Sequence, residues 1–132
     1  MTRPRLETIG LPDFGMPTAM PELSAGLYAA RLDRTRERSA ERDHDILVVY
    51  ADREHSANLA WLSGFDPRFE EAICFVGPDR DPLLLAGNEC VGMAKAAPLP
   101  MRVELWQDLS LTGQPRDRSR PLAEIIAGEG ID

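Results

Sequence analysis

An α/β layered domain is the fold this sequence predicts, and three observations predict it. Short runs of β-branched and aromatic residues alternate with stretches of helical spacing. Two apolar runs flank a Gly/Pro/Asp turn at residues 77–82, the pattern of a chain that returns antiparallel to itself. The order helix, polar turn, strand over residues 22–50 is repeated by residues 122–127 followed by 128–132, and the sequence ends where another strand is due.

Residues 1–21 hold Pro4, Pro12, Pro17 and Pro21 with Gly10 and Gly15, which prevents regular structure and predicts an extended arm. Leu11, Phe14, Met16 and Met20 give that arm apolar surface to lay against something. From Glu22 to about Arg38 the spacing turns helical, with Leu23, Leu27 and Ala30 as the expected apolar stripe. Arg31, Arg34, Arg36, Arg38 and Arg42 alternate with Asp33, Glu37, Glu41 and Asp43, which reads as a solvated helix face. Residues 46–50, Ile-Leu-Val-Val-Tyr, predict a strand covered on both faces. A polar turn at 51–55 leads to a short helix ending at Ser63, with Gly64 placed to stop it.

A loop at 65–69 precedes a second strand at 72–76, and residues 83–86 are its antiparallel return. Asn88 reads as the N-cap of a helix over 89–94, with Glu89 at its positive end. After Pro98 and Pro100, alternation through Met101, Val103 and Leu105 predicts an edge strand with one wet face, on which Trp106 falls. A Pro- and Arg-bearing loop leads to a last helix over 121–127. Residues 22–132 are thus one domain behind the arm, lacking its final strand.

Composition narrows the function. A chain of 132 residues fits one core, and 43% hydrophobic with 28% charged residues is ordinary for a globular domain. A net charge of -7 repels phosphate, so neither nucleic acid nor an anionic membrane is expected as partner. No apolar segment follows Arg3 and Arg5 as a secretory signal would, and the longest apolar run is far too short to span a bilayer. Cys74 and Cys90 lack CxxC spacing and are expected as buried thiols in a reducing cytoplasm. His44 and His55 are the only histidines, and no HExxH pattern occurs, so this chain is expected to hold no cofactor of its own.

Three consecutive motifs carry a resemblance: residues 52–58 (Asp-Arg-Glu-His-Ser-Ala-Asn), 59–65 (Leu-Ala-Trp-Leu-Ser-Gly-Phe) and 66–72 (Asp-Pro-Arg-Phe-Glu-Glu-Ala). With Leu-Leu-Leu-Ala-Gly-Asn-Glu at 83–89, Gln-Pro-Arg at 114–116 and the Leu-Pro-Asp-Phe-Gly arm, the sequence resembles the N-terminal domain of the creatinase, prolidase and aminopeptidase P family, most of all a bacterial X-Pro dipeptidase. That resemblance implies a three-layer α/β/α domain with a mixed sheet, related to ribonuclease H. It implies a homodimeric parent enzyme in which this domain helps form the interface and overhangs the partner's active site. Catalysis would belong to a separate C-terminal domain, where two divalent metal ions such as manganese activate water against the bond before proline. Creatinase uses the same fold without metal, so the parent's substrate stays open between a proline dipeptide, a longer peptide and an amidine.

The resemblance makes Phe65, Asp66, Arg68 and Phe69 the first candidates, since that loop approaches the partner subunit's substrate pocket in relatives. The alternative is that both phenylalanines are core and Arg68 forms an internal ion pair. Arg53 and His55, beside Asp52 and Glu54, are candidates for shaping the interface. A metal cluster there is disfavoured, because neighbours on a turn point apart. Trp61 is expected in the core or on a dimer face. Gly87-Asn-Glu89 lacks the glycine spacing of a phosphate loop. Two other classes stand beside it: a free-standing module pairing through an open sheet edge, and a magnesium nuclease built on Asp52, Glu54, Asp66, Glu70 and Glu71, which the acidic charge opposes.

Overall fold

The computed structural model describes residues 5–131. Pro4, the first proline of the expected arm, and Asp132, the last residue of the expected turn, lie outside them. Residues 5–24 form no helix or strand, and helix α1 spans Ala25–Ala40. Ser24 caps it, its hydroxyl accepting from the Leu27 N–H at 3.3 Å. That start lies later than Glu22 and changes which face is buried. Leu23, Leu27 and Ala30 are exposed, and Tyr28 and Leu32, four residues apart, enter the core instead.

The arginines explain the rotation. Arg31 donates to the Trp61 carbonyl at 2.7 Å, with its guanidinium 5.1 Å from the ring centroids of both Tyr28 and Trp61. Arg36 donates to the carbonyls of Gly77 at 3.0 Å and Arg80 at 2.6 Å. Two of the five arginines expected on a solvated face therefore tie α1 to α2 and to the β2–β3 turn.

The sheet has four strands in the order β1 (Leu47–Ala51), β2 (Ala72–Val76), β3 (Leu83–Ala86), β4 (Arg102–Leu105). β1 and β2 are antiparallel, as are β2 and β3, the latter with Cys74 opposite Leu84. β3 and β4 are parallel, so the sheet is mixed. Parallel neighbours need a crossover. Residues 87–101 supply it with helix α3 (Val91–Ala94).

Helices lie on both faces of the sheet. Leu47, Val49, Cys74, Val76, Leu84 and Val103 pack with Tyr28 and Leu32 of α1, with Leu59 and Leu62 of α2 (Ala57–Ser63), and with Ala94 of α3. Ile73, Phe75, Leu83 and Leu85 pack with Leu109 and with Leu122, Ile125 and Ile126 of α4 (Leu122–Gly128). This is the expected three-layer α/β/α architecture. The end of α4 is held by Glu129, whose carboxylate takes two bonds from Arg102 at 2.6 and 2.8 Å.

Two strand readings change. The run at 46–50 was expected to be covered on both faces, yet Val48 and Tyr50 are 52% and 46% exposed. β1 is an edge strand, paired with β2 alone among the described residues. The strand buried throughout is β3, every residue of which is buried because it sits inside the sheet under both helix layers. β4 is an edge, as its alternation predicted, but Trp106 does not stand on a wet face. It leaves the strand and packs into the α4 side of the core, its backbone N–H donating to the Ala86 carbonyl at 3.0 Å.

Candidate functional site

The loop following α2 is built by an alternation of inward and outward residues. Gly64 ends α2 with φ +76°, and its N–H donates to the Ala60 carbonyl at 2.8 Å. No other residue fits: a Cβ there would sit 2.5 Å from Cγ of Pro98 and 3.0 Å from the Tyr28 ring. The buried Ser63 hydroxyl donates to the Leu59 carbonyl at 2.7 Å and accepts from the Phe65 N–H at 3.1 Å, which turns the chain inward. Phe65 and Pro67 are buried; Asp66, Arg68 and Phe69 face out.

Arg68 occupies the left-handed region at φ +62°, a costly conformation for a side chain of its size. Asp66 compensates by accepting the Arg68 N–H on Oδ1 at 2.7 Å, closing a side-chain turn. The guanidinium forms no ion pair among the described residues, so the alternative of an internal salt bridge is not made. It borders a shallow groove shared with Met93, Ala97 and Pro98. Phe65 is core and Phe69 is not, so the alternative for the two phenylalanines holds for one of them.

Glu70 fixes this loop from within. Its carboxylate is buried, and Oε2 accepts the N–H groups of Glu89 at 3.1 Å and Cys90 at 3.0 Å. The Cys90 thiol donates to the Pro67 carbonyl at 2.9 Å. Burial above all, then Glu70, pushes that thiol up to about 12; burial alone takes Cys74 to about 12. Both thiols are buried and unbridged, as expected. Glu70 was not singled out as a positioning group: it precedes β2, and its partners Glu89 and Cys90 lie far along the chain.

The Asx-type turn after β1 is a separate feature. Asp52 Oδ1 accepts the N–H groups of Glu54 at 2.8 Å and His55 at 2.7 Å, and the His55 ring Nδ1 lies 2.9 Å away. The His55 hydrogen bond, followed by those backbone donors, holds the Asp52 carboxyl below its ordinary value. Arg53 and His55 are exposed, and among the described residues no hydrogen bond or ion pair joins this turn to the 65–69 loop. Trp61 is 46% exposed rather than core, lying on the outer face of α2 under Arg31.

Asn88 does not cap a helix. α3 begins at Val91, and the Asn88 amide instead donates to Gln114 Oε1 at 3.2 Å and the Pro115 carbonyl at 3.0 Å. Its Oδ1 accepts from the buried Gln107 at 2.9 Å, while Arg116 donates to the carbonyls of Gln107 and Ser110. A polar network thus ties the β3–α3 turn to the segment carrying Gln114 and Arg116. Glu70 Oε2 is taken up by two backbone amides, while its buried Oε1 meets no hydrogen-bond partner among the described residues. Among the described residues no three His, Cys, Asp or Glu side chains are gathered to hold a metal. No helix of the structure is long and apolar enough to cross a membrane.

No family model matches the sequence, and no curated relative does. Solved structures do match. The Creatine_N superfamily domain of a dipeptidase from Streptococcus thermophilus is 25% identical, with a TM-score of 0.53 over 74% of this chain. This chain spans less than two thirds of that domain, 65% of its length. An Xaa-Pro aminopeptidase structure from Streptococcus pyogenes matches 82% of this chain and 71% of its own length at TM-score 0.57 and 21% identity. A dipeptidase from Mycobacterium ulcerans matches over 67% of this chain but only 24% of its own length, at TM-score 0.53 and 17% identity. The chain has the fold of creatinase/prolidase N-terminal domains.

Proposed function

We propose that this chain is the non-catalytic N-terminal domain of a metal-dependent X-Pro dipeptidase or aminopeptidase, which pairs two subunits and covers the partner's active site. One observation carries the reading. The 65–69 loop is pinned by buried Phe65, Pro67 and Glu70, while it holds Arg68 outward, without an ion pair, in a conformation that costs about 1–2 kcal/mol. A fold rarely sustains such a residue unless its position is used. On this reading that place is over a neighbouring catalytic site, and the likeness to a domain of a dipeptidase supports it.

On this reading the domain moves no proton and breaks no bond. Its residues do not fit the two divalent ions of the parent chemistry, since no ligand group is assembled among those described. Those ions would supply activated water in a C-terminal domain. Arg68 binds the substrate's terminal carboxylate, and Phe69 and Met93 give apolar cover that keeps water away from that pair. A charge-assisted bond of this kind contributes about 1.5–3 kcal/mol. Arg53, His55 and Trp61 lie on the surface, where contact with the second subunit would use them. The protein would act in the cytoplasm, as its two buried thiols suit.

The test is kinetic. In the enzyme carrying this domain, Arg68→Ala should lower kcat/KM for X-Pro dipeptides by about 10- to 100-fold with bound metal unchanged. Unaltered kinetics across several dipeptides would remove the role, and X-Pro hydrolysis by the purified 132-residue chain alone would overturn the whole reading.

A further inference from the structure

The groove beside Arg68 adjoins the root of the arm. Arg68, Met93, Ala97 and Pro98 line it, with Gly64 and the buried Phe65 beneath. A Cβ on Gly64 would lie 2.5 Å from Cγ of Pro98 and 3.0 Å from Cζ of Tyr28, so the first turn of α1 abuts the groove. The arm enters α1 there, through Ser24. Two exposed cations stand along the groove: Arg68, and Lys95 next to the lining residue Ala96. Neither forms an ion pair among the described residues. Asp66 also lines the groove, with Oδ1 accepting the Arg68 N–H.

Residues 8–24 have the complementary composition. They hold Asp13 and Glu22, no lysine or arginine, and the exposed Ile9, Leu11, Phe14, Met16 and Met20. Neither acid has an ion pair among the described residues. Asp13 Oδ1 accepts the Gly15 N–H at 2.8 Å, and Gly15 takes φ +67°, so residues 13–15 form a turn that presents Phe14 and the second carboxylate oxygen to solvent. From Asp13 to Ala25 the chain can extend about 40 Å, while Tyr28 stands one helical turn, about 5 Å, into α1. The turn therefore reaches the groove of its own chain.

We propose that residues 11–16 are a strap that closes over this groove within one chain, Asp13 pairing with Arg68 and Phe14 covering Met93 and Pro98. An exposed ion pair contributes little between separate molecules. The arm changes that, because a short tether holds Asp13 at an effective concentration in the millimolar range. A closed strap occupies the cation assigned above to a substrate carboxylate, so strap and substrate compete. That competition rests on the peptidase reading; the closure itself does not.

Cross-linking tests the closure. A Phe14→Cys/Met93→Cys chain, oxidised with glutathione disulfide at low salt, should form a disulfide within one chain; the native Cys74 and Cys90 are buried. It should close at least about threefold faster than Phe14→Cys/Ala123→Cys, whose second cysteine stands on α4 across the sheet. Adding Asp13→Asn, or raising the salt, should remove most of that advantage. Equal closure at both positions, a disulfide formed only between chains, or an advantage that Asp13→Asn leaves intact overturns the strap. In the complete enzyme, Asp13→Asn should lower KM for X-Pro dipeptides by about two- to fivefold with kcat unchanged. An unchanged KM in an enzyme that Arg68→Ala does impair overturns the competition. If Arg68→Ala leaves the kinetics unaltered, the peptidase reading fails and the cross-link alone judges the strap.

Discussion

Glu70 and Gly87 are packed so closely that a Cβ on residue 87 would lie 2.6 Å from the Glu70 carboxylate oxygen Oε2. The glycine lets the backbone of the β3–α3 turn close over a buried carboxylate, and that closure aims the Glu89 and Cys90 N–H groups at it. One carboxylate thereby joins the 65–69 loop to the start of the β3–β4 crossover.

Glu70→Ala should lower the unfolding free energy by about 1–3 kcal/mol, because the buried Cys90 N–H and the part-buried Glu89 N–H lose their acceptor. Gly87→Ala should cost about 1–3 kcal/mol by overpacking. The double variant should be less destabilised than the sum, since removing the carboxylate makes room for the new methyl group. Urea unfolding of the four chains gives the coupling, and strict additivity would show that the two residues do not meet.

Arg68→Gly should raise stability by up to about 1–2 kcal/mol, since glycine adopts φ +62° freely. The same change in the complete enzyme should impair kcat/KM. A stability gain with a kinetic loss separates a strained functional residue from an incidental one. Thermal unfolding that moves downward would show that the arginine side chain contributes contacts to the fold.

Acid should loosen α4 first through Glu129. Its hydrogen bonds from Arg102 hold this carboxyl below the ordinary glutamate value of about 4.3. A carboxylate depressed in the folded state stabilises above its unfolded pKa, and that contribution disappears as pH falls through the folded value. Solvent reaches Arg102, so the effect is modest, about 1 kcal/mol. Glu129→Gln should be less stable than the parent at pH 7, with the gap closing below about pH 4. A gap that stays constant through that window would refute the assignment.

Cys74 and Cys90, each pushed up to about 12, should resist a thiol reagent at pH 8 in the folded chain. In denaturant both should react. Rapid modification of either thiol under native conditions would contradict their burial.

Much of the fold was legible because the signals were local. β2 and β3 follow from two β-rich runs around a Gly-Pro turn, and α2 with its Gly64 stop from helical spacing over seven residues. The 65–69 loop was marked by its motif, yet the sequence left both phenylalanines ambiguous. Only packing separates Phe65, which fills space beneath α2, from Phe69, which does not.

By itself, then, the sequence determined the order and type of the elements, the buried thiols and the place of the loop, because these depend on neighbours a few residues away. Tertiary structure decided that β1 is an edge, that Arg31 and Arg36 bind carbonyls rather than water, that Asn88 serves a network instead of a helix end, and that Glu70 lies inside. Each of these depends on a partner far along the chain. Whether a strand is covered, or a charge finds an acceptor, is settled only when distant segments come into contact, and local periodicity carries no record of which segments those will be.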